Sequence, residues 1–421
     1  MLDIRLIRKD PDLVRAALAR RGPTDDLDAV VTLDSECRAR RSRVEEMRAE
    51  STRMAKEIGA ARKAGGPPDP AAEAAARALR DETGTLEEAL RDLENQRDQV
   101  LLSLPNIAEE SAPEGGEEDA VEVRTVGQIP VFPEGARDHV EIAEAFGGLD
   151  LERAARTSGA RFAYIMGPLA RLQMSLVQWA VDLLHHEGFM PVIPPVLVRE
   201  EALVGTGFFP ADRGSVYATA HDDLFLVGTS EVPLAALHQD EILSEADLPL
   251  RYAGISSCFR REAGAAGRDT RGIFRVHQFD KVEMFTFTTP EQSSEEHQRI
   301  LGIEERILRD LGIPYRVVDV AVGDLGASAA RKFDCEAWMP GQERYREVTS
   351  CSNCTDYQGR RLRCRTKRGK ETVPVHTLNG TAVAVGRTLI AILENHQRPD
   401  GTVVVPECLR PFGAPEVLGP T

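Results

Sequence analysis

Between residues 27 and 104 the apolar residues keep a heptad rhythm, and this limits what the chain can fold into more than any other feature. Val30, Leu33, Cys37, Val44, Met47, Met54, Ile58 and Ala61 fall at alternating three- and four-residue steps, with Arg40 and Ser51 filling gaps. That spacing is an a/d seam. Gly65-Gly-Pro-Pro-Asp-Pro breaks it, because proline removes a helical donor and clashes with the preceding turn. A second seam follows at Leu79, Leu86, Leu90, Leu93, Val100 and Leu104, interrupted by Arg97. Each arm of about 35 residues spans roughly 50 Å at 1.5 Å per residue. The seam is thin and lacks aromatics, so the pair cannot be a domain core. It reads as an antiparallel coiled coil projecting into solvent; a dimerisation coiled coil would show the same pattern.

The chain has 421 residues, more than one hydrophobic core usually serves, so two domains are expected. Its 42% hydrophobic and 29% charged residues are those of an ordinary globular protein. No run approaches the roughly 18 apolar residues of a membrane helix, and the opening Met1-Leu-Asp-Ile-Arg-Leu-Ile-Arg has no signal-like apolar stretch. A cytoplasmic protein without a membrane partner is expected. The net charge of -16 argues against nucleic-acid binding overall, although Arg38, Arg40, Arg41 and Arg43, then Arg53, Lys56, Arg62 and Lys63, cluster along the first arm. On charge alone these form a solvated helix face. Seven cysteines in a long chain read as free thiols. Cys351, Cys354 and Cys364, with His376 as the nearest imidazole, are better taken as buried thiols than as a zinc site, so no zinc is expected.

Pro105 ends the hairpin, and Glu109 to Glu122 is acidic and glycine-rich, which reads as a linker. The expected domains are 1–105 with the helical arm at about 27–104, a linker at 106–130, and a second domain at 131–421. Beyond residue 130 the spacing predicts a helix over Leu169–Leu184. It predicts strands at Met190–Ile193, Leu224–Val227, Ile273–Val276, Val282–Phe287, Tyr315–Val320 and Arg344–Thr349. The strands do not alternate regularly with helices, which favours an α+β domain with a mainly antiparallel sheet over a doubly wound parallel one. There is no GxxxxGK[ST] and no GxGxxG between strand and helix, so a nucleotide would be bound without a P-loop or Rossmann turn.

Chemistry-bearing residues concentrate in two places. Cys258 to Phe285 begins with Arg260-x-Glu262, continues through a Gly- and Arg-rich loop and returns through Arg275-x-x-x-Phe279. Near the C-terminus, Gly386-Arg387 opens an apolar-faced helix, where an arginine meets an anion beside the helix N-terminus. These elements resemble motifs 2 and 3 of class II aminoacyl-tRNA synthetases, in detail most like the seryl-tRNA synthetase family. Gly188-Phe-Met-Pro-Val-Ile-Pro-Pro-Val-Leu-Val resembles motif 1, with Pro195 as the motif proline. The resemblance extends to Leu2-Asp-Ile-Arg-Leu-Ile-Arg, the hairpin, Pro105-Asn-Ile, Thr229-Ser-Glu, Ser328-Ala-Ala-Arg-Lys-Phe-Asp-Cys-Glu-Ala-Trp and Ile390-Ala-Ile-Leu-Glu-Asn-His-Gln.

The resemblance implies a class II antiparallel sheet flanked by helices, an N-terminal arm, and the following site. Arg260 meets the α-phosphate of ATP, since a guanidinium fork suits two phosphoryl oxygens. Arg261 accompanies it, and Glu262 lies near the adenine amino group or on the pyrophosphate side. Phe279 stacks on adenine, sandwiched by Arg387, and the Val276 backbone reads the base edge. Arg275 and Arg387 serve the outer phosphates. Glu347, Val348, Thr349 and Ser350 form the ATP-contacting segment, with Glu347 and Ser350 as oxygen ligands for Mg²⁺. Thr229, Ser230, Glu231, Arg260, Glu283, Asn379 and Thr381 bind L-serine: Glu283 holds the ammonium and Thr381 meets the hydroxyl. A buried hydroxyl partner left unpaired by alanine costs roughly 1–3 kcal/mol.

The implied reaction is attack of the serine carboxylate on the α-phosphorus of ATP. The carboxylate is ionised at pH 7 and needs no base, so arginines and Mg²⁺ supply alignment and charge neutralisation. A ribose hydroxyl at the 3′ end of serine tRNA, and of selenocysteine tRNA, then takes the seryl group. In this context the arm becomes the grip on the tRNA, reading shape and backbone. A homodimer through Leu169–Val198 is also implied. The chain departs from many relatives at Ser230, Cys354, Ala163 and Met166. These departures leave open a specialised paralogue of the same chemistry, serving antibiotic resistance or a biosynthetic supply of seryl-tRNA. A non-catalytic RNA-binding relative would not keep Arg260, Arg275, Glu283 and Arg387. A ligase loading a carrier protein would lack the arm.

Overall fold

The computed structural model describes residues 1–67, 69–262, 269 and 271–420. Leu2–Leu104 forms one compact unit and Pro105–Thr421 most of another. Among the described residues no helix is long and apolar enough to cross a membrane.

In the first unit, short helices α1 (Ile4–Lys9) and α2 (Pro11–Ala19) precede two long ones, α3 (Asp25–Lys63) and α4 (Pro70–Ser103). Asp69 caps α4 by accepting from Ala71 and Ala72, and Pro70 takes the first helical position, where no donor is missed. The arms are antiparallel, and their ionic rungs fix the register. Arg41 pairs with Glu94, Arg48 with Glu87 at 2.8 Å and Arg62 with Glu73 at 2.5 Å. Each rung steps up one helix by one or two heptads and down the other by the same amount. Cys37, Val44, Leu90 and Leu93 form the buried seam, with Leu33 and Leu86 partly buried against it. Arg97 interrupts the apolar pattern because it has an acidic partner. It lies 3.4 Å from Asp34, whose buried carboxylate also receives both Arg8 nitrogens at 2.7 Å. The Arg8 hydrogen bonds are the main cause holding the Asp34 carboxyl below its usual range.

The second unit is built on an eight-stranded sheet. Its strands are β1 (Val121–Val126), β2 (Met190–Val192), β3 (Leu250–Phe259), β4 (Gln278–Thr288), β5 (Tyr315–Asp319), β6 (Arg331–Met339), β7 (Arg344–Thr355) and β8 (His376–Ala384). The order is β1-β5-β6-β7-β8-β4-β3-β2, antiparallel throughout except where β2 runs parallel to β3. Helices α5 (His139–Ala145), α6 (Gly167–His186), α7 (Glu231–Ala236), α8 (Ser293–Asp310) and α9 (Val385–Asn395) accompany it. Leu169, Leu172 and Leu176 of α6, Ile300 and Ile307 of α8 and Leu389 to Leu393 of α9 share one core with Ala253, Val282, Met284, Cys335, Ala337 and Leu378 of the sheet. Alternate residues of the central strands therefore face helices, and their neighbours face the opposite side.

Two sequence expectations are corrected. Part of the 106–130 linker is laid down on the second unit: Asn106 and Glu109 donate their backbone N–H to Ala327 and Ala330, and Ala108 and Ala112 pack with Val320, Val322 and Leu325. Val121–Val126 then pairs with β5, so acidic composition concealed an edge strand. Ile273–Val276 is irregular, not a strand; its apolar side chains are buried in the core by the turn that precedes β4.

Candidate active site

The face of the sheet away from the core carries a cavity of about 380 Å³. Fourteen of the residues expected to act in the site line it: Thr229, Glu231, Arg260, Glu262, Arg275, Val276, Phe279, Glu283, Glu347, Val348, Ser350, Asn379, Thr381 and Arg387. Two β-bulges make this possible. Glu347 and Ser350 are three apart and would face opposite sides of a regular strand. The register of β7 against β6 slips at Val348, between Glu336↔Glu347 and Cys335↔Thr349, so both point into the cavity. A second slip at Ala382 sets Glu283 opposite Thr381 and brings Asn379, Thr381 and Ala384 to the same face.

At one side of the cavity Arg387, at the start of α9, donates to the Glu347 carbonyl at 2.9 Å and lies 3.4 Å from its carboxylate. Burial alone would raise the Glu347 carboxyl. Arg387, Lys332, Arg260 and Arg275 outweigh it and hold the group below its ordinary value. Burial in turn pushes the Arg387 guanidinium down. Arg275 bridges Glu262 and Asp269 at 3.4 Å each, and Arg346 binds Asp269 at 2.6 Å. Arg260 lies with its guanidinium carbon 5.2 Å from the Phe279 ring centroid and donates to the Gly228 carbonyl at 3.3 Å. The ring beside Arg387 is Phe274, 4.7 Å away.

On the other side Glu231 enters from the first position of α7 and Thr229 from the turn before it. That helix lies close to the sheet because position 254 is glycine: a Cβ there would come within 2.7 Å of Leu234 and 2.8 Å of Ser230. The Gln358 side chain donates to Glu231 at 2.8 Å. Burial first, and then the charge of Glu283, push the Glu231 carboxyl up to about 7. Thr381 donates to Glu283 at 3.4 Å.

Three expected site residues keep their side chains out of the cavity. Ser230 is fully buried against the Gly254 carbonyl. Thr349 falls on the helix side of β7, because the bulge that turns Ser350 inward turns Thr349 outward. Arg261 lies over the Tyr217 ring at 5.7 Å. Sequence reading missed Lys281, Lys332 and Phe274, which also line the cavity. Lys281 precedes by one residue the strand expected at Val282–Phe287, and period-two alternation with Glu283 was the signal for it. Lys332 is ion-paired with Asp334 at 3.0 Å. Burial opposes its charge, but Asp334 and Glu347 outweigh that and raise its pKa.

An antiparallel sheet holding an arginine-rich cavity between its central strands and the start of α9 defines a class II aminoacyl-tRNA synthetase core. Residues 216–396 match the family model for the tRNA synthetase class II core domain (G, H, P, S and T), and residues 1–108 match that for the seryl-tRNA synthetase N-terminal domain. The serine–tRNA ligase of Acidothermus cellulolyticus is 50% identical over 423 residues, all of both chains. That of Streptomyces coelicolor is 51% identical over 427 residues, covering 100% of this chain and 99% of its own. The crystal structure of seryl-tRNA synthetase from Pyrococcus horikoshii complexed with ATP superposes with a TM-score of 0.94 at 42% identity, over the whole of both chains. The chain belongs to the serine–tRNA ligase family, and its activity is that of a ligase joining serine to tRNA.

Proposed function

We propose that this cavity activates L-serine with ATP, giving seryl-adenylate and pyrophosphate, and that the seryl group then passes to the 3′ end of tRNA. The observation that carries this reading is that Arg260, Arg275 and Arg387 line one cavity with Glu283, Thr381 and Glu347. The Pyrococcus horikoshii relative carries ATP in its crystal structure, which supports ATP as the substrate here. The arginines orient the triphosphate and neutralise charge on the five-coordinate α-phosphorus and the departing pyrophosphate. The serine carboxylate, ionised at neutral pH, attacks directly. Glu283 receives the serine ammonium, and Thr381 and Asn379 border its side chain. Phe279 stacks with the base. In the second step an adenylate phosphate oxygen takes the proton of the ribose hydroxyl.

Glu347 and Ser350 would hold Mg²⁺. A carboxylate kept ionised by its surroundings and a hydroxyl turned to the same face by the bulge form the hard oxygen donor set this ion takes. Bound there, the ion neutralises phosphate charge.

The first unit is assigned to tRNA through its helical arm. The arm's rungs pair exposed arginines such as Arg41, Arg48 and Arg62 with glutamates. Surface pairs of this kind contribute only about 0–1 kcal/mol, so phosphates can replace the glutamates at little cost. A homodimer through the motif 1 region is supported by the exposure of Met174, Met190 and Ile193, at 71%, 61% and 85%. The test is ATP–pyrophosphate exchange across the amino acids, followed by charging of serine tRNA. Exchange and charging with serine are expected; exchange with glycine or alanine but not serine would overturn the substrate assignment.

A further inference from the structure

One charged side chain in the amino-acid pocket has no part in the scheme above. Lys281 stands two residues before Glu283 on β4, so the pleat sends both to the cavity face. It is 6% exposed. Its ammonium donates to Thr229 Oγ1 at 2.7 Å and is ion-paired with Glu283 Oε2. Thr381 donates to that same oxygen. Glu283 Oε1 has no hydrogen-bond partner among the described residues. A lysine this buried is costly unless its charge is paired, and here the pairing has a direction: both donors crowd one carboxylate oxygen and leave the other open.

We propose that Lys281 is a positioning residue of the amino-acid pocket: it clamps Glu283 by Oε2 and Thr229 by its hydroxyl, so that Oε1 is presented to the ammonium of the incoming amino acid. This rests on the reading of the cavity as the serine-activating site.

The electrostatics agree with the geometry. Besides pairing with Lys281 on its own strand, Glu283 acts by its charge on Glu231 on α7, Cys258 near the end of β3 and Glu304 on α8 behind the sheet. Two carboxylates buried this close do not both ionise readily. Burial first, and then the charge of Glu283, push the Glu231 carboxyl up to about 7. Below neutrality the pocket thus holds a protonated Glu231 carboxyl next to Glu283.

The test is serine-dependent ATP–pyrophosphate exchange by the full-length wild type and by K281M, which keeps the aliphatic stem, and K281R, which keeps the charge. K281M is expected to raise the serine KM roughly tenfold to a hundredfold, with the ATP KM unchanged, as for loss of one charged hydrogen-bond network. K281R recovers part of that loss. A folded K281M with a serine KM within twofold of wild type overturns the proposal, as do equal rises in the serine and ATP KM. If K281M does not fold, K281Q decides: a wild-type serine KM in K281Q overturns the proposal, and a raised one that K281R restores supports it. Wild-type protein inert with serine would instead overturn the reading of the cavity and take the proposal with it.

Discussion

His139 Nδ1 lies 3.0 Å from Glu394 Oε1, while its Nε2 accepts the backbone N–H of Ile273 at 3.2 Å. Because Ile273 is a donor, Nε2 carries no proton and Nδ1–H donates to the carboxylate, a tautomer assigned from the network. Glu394 also receives the backbone N–H of His139 and of Gly341. It sits near the end of α9, whose start carries Arg387, and Ile273 leads into Phe274, Arg275 and Val276. One imidazole therefore ties the helix that opens with Arg387 to the segment that supplies Arg275. Position 272 is glycine with φ +77°, and a Cβ there would fall 2.0 Å from His139 Nε2. H139A leaves a buried donor and a buried carboxylate short of partners, and is expected to cost about 2–4 kcal/mol in urea or thermal unfolding. The ATP KM in exchange should rise more than the serine KM. Equal effects on both substrates would show that the network supports the fold without orienting the arginine segment.

Glu231 makes stability depend on pH in an unusual direction. Its carboxyl is raised to about 7 from an ordinary 4.5, first by burial and then by Glu283. The folded state prefers the proton, so this group's contribution is complete below about pH 4.5 and is lost as pH rises through about 7. The difference is about 3 kcal/mol. E231Q removes the titration, so its melting temperature should gain on that of the wild type between pH 5 and pH 8 while serine binding weakens. A constant difference across that range would mean that Glu231 does not titrate there.

Glu347 tests the divalent ion. E347Q keeps the volume and hydrogen bonding of the side chain and removes its charge. Exchange should fall at least about 100-fold, and the residual activity should need more magnesium for half-saturation. Unchanged activity and magnesium dependence in E347Q would place the ion elsewhere.

What the sequence revealed and what it hid divide along physical lines. The arm was legible because a coiled coil has one period and few tertiary partners. The motif residues were legible through the resemblance carried by the runs around Arg260, Glu283 and Arg387; Glu283 and Arg387 sit on regular elements, and Arg260 lies just past the end of β3. The bulges at Val348 and Ala382 were not legible, since an extra residue in a strand leaves no compositional mark. The bulge at Val348 decides that Ser350, and not Thr349, shares the cavity face with Glu347. The acidic stretch before β1 was misread because an edge strand needs only one covered face, and Val121 and Val123 are half exposed. Asp34 was overlooked as the partner of Arg97 because the charges that meet across the arm are 63 residues apart.

The arm offers a separation of two activities that can be cut along the observed register. Removing residues 45–90 takes away the distal rungs Arg48–Glu87 and Arg62–Glu73. It leaves Arg41–Glu94 and the Asp34 cluster with Arg8 and Arg97, so the base of the hairpin keeps its ionic anchor. The shortened protein should retain serine-dependent exchange within about twofold of wild type, because every residue lining the cavity lies beyond position 200. Charging of serine tRNA should fall by orders of magnitude, as expected when a long backbone-contacting surface is removed, and the remaining charging should depend less steeply on salt. D34A in the full-length chain is the complementary change. It takes away the shared carboxylate partner of Arg8 and Arg97, leaving Arg97 only Asp98 at 2.7 Å, and should lower the stability of the first unit by about 1–3 kcal/mol. Exchange should again be spared and charging reduced, most of all near the temperature at which that unit melts. Loss of exchange in the shortened chain, with the second unit still folded by circular dichroism, would tie the arm to the chemistry and end its assignment as a tRNA grip alone.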